Sequence, residues 1–203
     1  MENRPIVLGS TSRYRKALLA RLGVPFETAA PGVDESPLDG EAPAATCERL
    51  ALAKARAVAS RYTCALVIGS DQVANADGVA IGKSGGRDEA IAQLARLSGR
   101  AIVFHTGVAL VDAASGRSHA ARVDVTTRFR TLSRAMIEAY VDREQPFDCA
   151  GSIKSEGLGI ALVEAIDNAD PTALIGLPLI TVVDLLRREG FDVVGRACKP
   201  QLP

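Results

Sequence analysis

Five places in this 203-residue sequence hold side chains suited to chemistry. Asp71-Gln72 follows the apolar run Leu66-Val-Ile-Gly-Ser. An acid held at the end of a buried strand can act as general base toward water or ligate a metal; it can equally cap the next turn. Asp34-Glu35 lies in a loop and offers carboxylate oxygens to a divalent cation, or simply faces solvent. Lys54 and Lys83 are candidates to neutralise phosphate charge. Lys54 is unusual because it falls among Leu50, Ala51 and Ala55, where the plainer outcome is an amine that snorkels to the surface. Ser10, Arg15 and Lys16 bracket a strand-to-helix turn, a place that presents backbone N–H groups and a guanidinium fork to an anion, or merely caps a helix. Glu156 sits in the Gly-rich stretch Lys154-Ser155-Glu156-Gly157, where small residues let a ligand approach and a carboxylate can accept bonds from a base edge; a surface loop has the same composition. The Walker A pattern GxxxxGK[ST] is absent from the sequence. His105 and His119 have no metal-site or triad spacing and read as structural.

Elements that must carry these groups follow from periodicity and turn residues. Pro5 to Leu8 predicts a buried strand, and Arg13 to Gly23 an amphipathic helix with Thr11 or Ser12 as N-cap. Residues 25 to 45 are rich in Pro, Asp, Glu and Gly and predict a loop; Thr46 to Ser60 predicts a helix. Cys64 to Gly69 predicts a buried strand that ends at Ser70-Asp71-Gln72, followed by a strand pair about Asp77-Gly78. A helix over Arg87–Leu97, long strands over 101–111 and 118–130, a helix from Ser133 to about Val141 and a last helix to Arg188 complete the reading. The alternation of strands and helices points to an α/β or α+β protein with one extended, partly antiparallel sheet.

Composition removes whole classes of function. Apolar residues are 47% and charged residues 24%, the balance of a folded soluble chain rather than a disordered one. Lys and Arg total 24, as do Asp and Glu, so no basic field exists to hold long nucleic acid. Aromatics are 4% with no Trp, which disfavours a base-stacking platform. Cys47, Cys64, Cys149 and Cys198 are irregularly spaced without a CxxC and read as reduced, mostly buried thiols of a cytoplasmic protein. Neither a signal peptide nor a membrane span is expected.

Taken together the segments resemble the Maf family, also called septum formation inhibitor-like proteins. The matching pieces are LGSTSRYRKALLARLG (8–23), VDES (33–36), the lysine of RLALAKARAVA, VIGSDQV (67–73), IGK (81–83), CAGSIKSEGLGI (149–160) and GLPL (176–179). Each is weak alone; the ordered set, spread over nearly the whole chain, is specific. The resemblance implies a single domain over 1–203: an α/β, two-lobed fold similar to inosine triphosphate pyrophosphatase, with a long mixed sheet flanked by helices and a central cleft. It implies a nucleoside triphosphate pyrophosphatase using a divalent cation, Mg²⁺ or Mn²⁺, and a homodimer. Asp71 would be the proton acceptor, Glu35 and Asp71 the metal neighbours, and Ser10, Arg15, Lys54 and Lys83 the phosphate-binding set.

Within the family, the run Cys-Ala-Gly-Ser-x-Lys-Ser-Glu-Gly is similar to the branch acting on 7-methyl-GTP. The dTTP/UTP branch usually carries Asp-Thr where this chain has Asp71-Gln72, Gln-Gly where it has Glu156-Gly157, and Arg where it has Tyr14. Tyr14, Gln72 and Glu156 are therefore the implied specificity positions. Tyr14 stands where Trp is typical, and Arg13 and Ser84 where Pro is common. Charge favours the same branch: 7-methylguanine is cationic when N1 is protonated, and Glu156 offers two acceptor oxygens and a negative charge to N1–H and the exocyclic amine. Tyr14 can stack on that cation. The alternatives are a dTTP/UTP pyrophosphatase and a nucleotide-binding regulator of cell division.

Overall fold

The apolar run after Pro5 forms β1 (Ile6–Gly9), buried along its whole length. β1 pairs in parallel with β2 (Phe26–Thr28) on one edge and with β3 (Leu66–Ala76) on the other. The Asp77-Gly78 turn, with positive φ at both residues, folds β4 (Val79–Ile81) back onto β3, as a two-residue primed hairpin requires. β5 (Ala101–Asp112), β6 (Ser118–Phe129) and β7 (Val163–Asp167) then add antiparallel to β3 and to one another. Among the described residues the resulting mixed sheet has seven strands, in the order β2-β1-β3-β5-β6-β7 with β4 on β3. The structure is a computed structural model and describes residues 4–196; Cys198 lies outside the described residues.

Helices cover both faces. α1 (Arg13–Ala20) starts at Ser12, whose hydroxyl accepts from Arg15 N, and the turn before it is braced by Ser12 N donating to Ser10 Oγ. α2 (Pro43–Ala59) has Pro at its first position, where the missing N–H costs nothing. Its stripe Cys47, Leu50, Ala51, Lys54, Ala55 and Val58 is buried, and Ala51, Ala55 and Val58 pack with Val7, Val67 and Ala109. That contact is close because glycines face the helix: a Cβ on Gly69 would overlap the Ala51 carbonyl, and one on Gly107 the Cys47 carbonyl. α3 (Arg87–Leu97) and α4 (Arg134–Glu144) pack with Phe104, Phe129 and Ile81 into one core. α5 (Leu179–Arg188) and the short α6 (Val193–Arg196) join α1 over Ile6, Leu8, Leu66 and Ile68 to form another. Each fully buried Leu or Ile in these cores contributes roughly 1.5–3 kcal/mol.

The relation of β3 to its neighbours makes the cleft. β5 accompanies β3 from Leu66 to Asn75. On the opposite edge β1 stops at Gly9 opposite Gly69, and β4 begins only at Ala74. Residues 70 to 73 therefore have a strand on one side and a gap on the other, with one lobe built beyond β1 and the second beyond β4.

This corrects the expected end of the central strand at Ser70-Asp71-Gln72. The polar triplet lies inside β3, because β5 pairs Asp71 with Gly107 and Gln72 with Thr106. β2 and β7 were not expected. β2 is three residues long on a sheet edge and mostly exposed, and β7 reads VEAID, five residues with only Val163 fully buried, so neither carries a clear apolar alternation. α1 also ends at Ala20, a turn before Gly23.

Candidate functional site

The gap opens into a cleft of about 670 Å³. All of the expected site residues line it: Ser10, Tyr14, Arg15, Glu35, Lys54, Asp71, Gln72, Lys83 and Glu156. Lys16 and Asp34 do not. Lys16 is exposed on α1, and Asp34 closes its own turn by accepting from Ser36 N at 2.9 Å.

At the centre, the Lys54 Nζ lies 2.7 Å from Asp71 Oδ1 and 2.7 Å from Glu35 Oε1. Lys54 does not snorkel: its side chain is 4% exposed and bridges the two acids across the site. Asp71 is likewise buried, whereas Glu35 is 52% exposed and comes down from the 31–42 loop. Burial pushes the Glu35 carboxyl up, and the hydrogen bond and charge of Lys54, with Lys83 and Arg15, more than reverse this, so its net shift is downward. The loop is anchored by Glu41, which accepts from Arg49 Nε and Nη2 at 2.6 and 2.7 Å and from Thr46 Oγ1 at 3.0 Å.

Cations line the wall around this pair. Arg15 reaches from α1 to donate from Nε to the Gly176 carbonyl at 2.9 Å, which leaves its two terminal nitrogens without a protein partner among the described residues. Burial pulls the Arg15 guanidinium down, and the charges of Asp71 and Glu35 offset this only in part, so its net shift is downward. Lys83 is exposed on the β4 side, its backbone bridged to Ala150. Ser10 is buried at the foot of the α1 turn.

Successive residues of a strand face opposite ways, so Asp71 points toward α2 while Ser70 and Gln72 point to the other face of the sheet. There Ser70 Oγ bonds the Gly107 and Gly176 carbonyls at 2.9 Å each. Gln72 Nε2 lies 3.0 Å from Thr106 Oγ1 and from the Ala173 and Leu174 carbonyls. Its amide nitrogen is thus committed to the turn carrying Gly176, and only its carbonyl end is left to read a ligand.

Tyr14, Asp148, Cys149 and Glu156 also line the cleft. The Tyr14 hydroxyl donates to Asp148 Oδ1 at 3.1 Å and accepts from Arg13 Nη2 at 2.7 Å. Burial and the neighbouring Cys149 thiol push the Tyr14 phenol up, and burial pushes the Cys149 thiol up to about 12, so both hydrogens stay in place at neutral pH. Sequence reasoning missed Asp148, which carries no motif of its own and becomes visible only once α1 and the 146–156 segment face each other. The expectation of mostly buried thiols holds for Cys47 alone among the described residues; Cys64 and Cys149 are half-buried. His105 is held by Asp124 and Asn75, and His119 by Glu189, as structural histidines would be.

Fold and site together define a class: α/β proteins with a buried acid on a central strand, set in a cation-lined cleft sized for a nucleotide. Within that class this chain belongs to the Maf family, whose model, described as Maf-like protein, matches residues 5–189. The chain is 55% identical over 188 residues to a protein from Polaromonas sp. named 7-methyl-GTP pyrophosphatase, covering 93% of this chain and 86% of that one. It is 53% identical over 192 residues (95% and 96% covered) to a protein of the same name from Albidiferax ferrireducens, and 52% identical over 189 residues (93% and 94% covered) to one from Thiobacillus denitrificans. No helix among the described residues is long and apolar enough to cross a membrane.

Proposed function

We propose that this chain hydrolyses 7-methyl-GTP to 7-methyl-GMP and pyrophosphate, clearing a modified nucleotide from the cytoplasmic pool. The observation that carries the reading is the Glu35–Lys54–Asp71 arrangement in the gap beside β3, ringed by Arg15 and Lys83. The names of the similar proteins support the substrate, and Glu156 in the lining of the same cleft supports the preference for a cationic purine.

In this reading the triphosphate lies along Ser10, Arg15, Lys54 and Lys83. Lys54 holds Asp71 by Oδ1, leaving Oδ2 to orient a water and take its proton. The water attacks the α-phosphorus in line, the α–β anhydride bond breaks, and pyrophosphate leaves with the bonding pair. The charge that develops on the leaving oxygens is met by the Lys and Arg side chains already in place.

Among the described residues no three His, Cys, Asp or Glu side chains form a ready metal cage. Glu35 and Asp71 still fit a hard divalent cation of the kind that is held by one or two carboxylates plus substrate phosphates. Each has one oxygen tied to Lys54 and another with no protein partner among the described residues. Such an ion, when bound, polarises the phosphate oxygens as a Lewis acid.

The test is pyrophosphate release from 7-methyl-GTP, GTP, UTP and dTTP assayed side by side, with and without chelator. The expected result is the highest kcat/KM on 7-methyl-GTP, abolished by chelator. Preference for UTP and dTTP would move the chain to the other branch, and binding without pyrophosphate release would make it a nucleotide sensor.

A further inference from the structure

We propose that Asp148 is a positioning residue for Tyr14: it reaches across the mouth of the cleft and fixes the phenol ring as a wall for the base. The inference rests on the reading of the cleft as a nucleoside triphosphate site. Tyr14 stands on the first turn of α1, and α1 packs by Leu18 and Leu19 into the core of the lobe beyond β1. Asp148 follows Phe147 and precedes Ala150, and both of these pack against the core of the other lobe. The Tyr14 hydroxyl to Asp148 Oδ1 bond, 3.1 Å long, therefore ties one lobe to the other at the base end of the cleft.

The contact is geometric rather than an electrostatic lure. Arg13 Nη2 lies 3.5 Å from Asp148 Oδ2, and the Arg13 guanidinium sits 4.8 Å from the centre of the Tyr14 ring. The carboxylate has a cation beside it in a solvent-exposed pair, and one face of the ring is already taken by that cation. The uncovered face is the one a base can use. A tyrosine on an exposed helix start has free rotamers, and ordering it on binding costs about 0.5–1.5 kcal/mol. A ring already held by the opposite lobe avoids that cost equally in ground and transition states, so its loss raises KM and leaves kcat alone.

The experiment measures kcat and KM for 7-methyl-GTP in the unaltered chain, Asp148→Ala, Tyr14→Phe, the double variant and Asp148→Asn, with urea midpoints as a check on folding. Asp148 is 51% exposed, so all of these should fold. Asp148→Ala and Tyr14→Phe should each raise KM about five-fold, the scale of one hydrogen bond, with kcat held within about two-fold. The double variant should fall clearly short of the product of the two single effects, since the Tyr14–Asp148 bond is already lost in either one. Asp148→Asn keeps an oxygen that accepts from the phenol and should restore KM to near the unaltered value. An unchanged KM in Asp148→Ala, additive losses in the double variant, or Asp148→Asn as weak as Asp148→Ala would each overturn the inference while leaving the reading of the cleft intact. Failure of the unaltered chain to cleave any triphosphate would overturn both.

Discussion

Asp71 and Lys54 are seventeen residues apart in the chain and 2.7 Å apart in the fold, on a strand and a helix that meet face to face. The contact depends on three things at once: Asp71 inside β3 rather than beyond it, Lys54 on the buried stripe of α2, and glycines at 69 and 107 that let the helix lie against the sheet. A buried ammonium is tolerated there because two carboxylates receive it.

Asp71→Asn tests the role of the acid directly. Lys54 keeps Glu35 as a partner, so the fold should survive, with a circular dichroism spectrum like that of the unaltered chain. Pyrophosphate release should fall at least about 100-fold, the lower range for loss of a general base. Near-normal turnover in a folded variant would remove Asp71 from its assigned role.

Much of this arrangement is legible from residue types alone, and the rest is not, for identifiable reasons. Ser12 as cap, the Asp77-Gly78 hairpin and the bounds of α3 follow from local rules that the structure obeys. The membership of the cleft comes instead from the family resemblance, which carries whole motifs in order; residue types alone leave each cluster a plainer reading. Lys54 is visible as a lysine on an apolar stripe, but its bridge between Glu35 and Asp71 is a long-range pairing no local pattern encodes. β3 continues through Ser70, Asp71 and Gln72 because β5 pairs with them, which overrides their poor match to an apolar strand. The committed amide of Gln72 is invisible because its partners are distant in the chain: Thr106 on β5 and, a hundred residues away, the turn at Ala173 and Leu174.

Gly69→Ala tests the close approach of α2. The added methyl would meet the backbone of Ala51 and Ala55, neither of which can swing aside as a long side chain would. Overpacking of this kind costs typically about 1–3 kcal/mol, and backbone on backbone belongs at the upper end. The urea midpoint should drop by a corresponding amount with the denaturant slope unchanged. A midpoint equal to that of the unaltered chain would mean that the helix can lift off the sheet at no cost.

Glu189 gives a pH dependence with a definite sign. Its side chain is 2% exposed and accepts from Arg117, His119 and Arg4, joining the β5–β6 hairpin to the end of α5. The Arg117 hydrogen bond, working against burial and helped by His119 and Arg4, lowers its carboxyl from 4.5 to about 2. A depressed carboxyl stabilises the fold fully above its unfolded value and loses that contribution as the pH falls through its folded value. Arg117 itself faces solvent, which screens the pair, so the contribution at pH 7 is on the order of 2 kcal/mol. Glu189→Gln should therefore be less stable than the unaltered chain at neutral pH, and the gap in urea midpoints should close between pH 4.5 and about 2. A gap that stays constant over that window would mean the carboxylate charge contributes nothing.

Glu156→Gln separates charge from shape at the base end of the cleft. Glu156 is exposed at the rim, on the segment that also carries Asp148 and Cys149, so its substitution should leave folding unchanged. Glutamine keeps one acceptor oxygen, loses the negative charge, and turns an N–H donor toward groups that are themselves donors on a purine edge. A cationic 7-methylguanine loses both the charge attraction and a hydrogen bond; neutral guanine loses the bond but little attraction. The expected result is about a ten-fold fall in kcat/KM on 7-methyl-GTP, in line with one charge-assisted hydrogen bond, and a smaller fall on GTP. The ratio of the two substrates should narrow while UTP and dTTP are barely affected. Equal losses on all four would show that Glu156 supports the segment without reading the base.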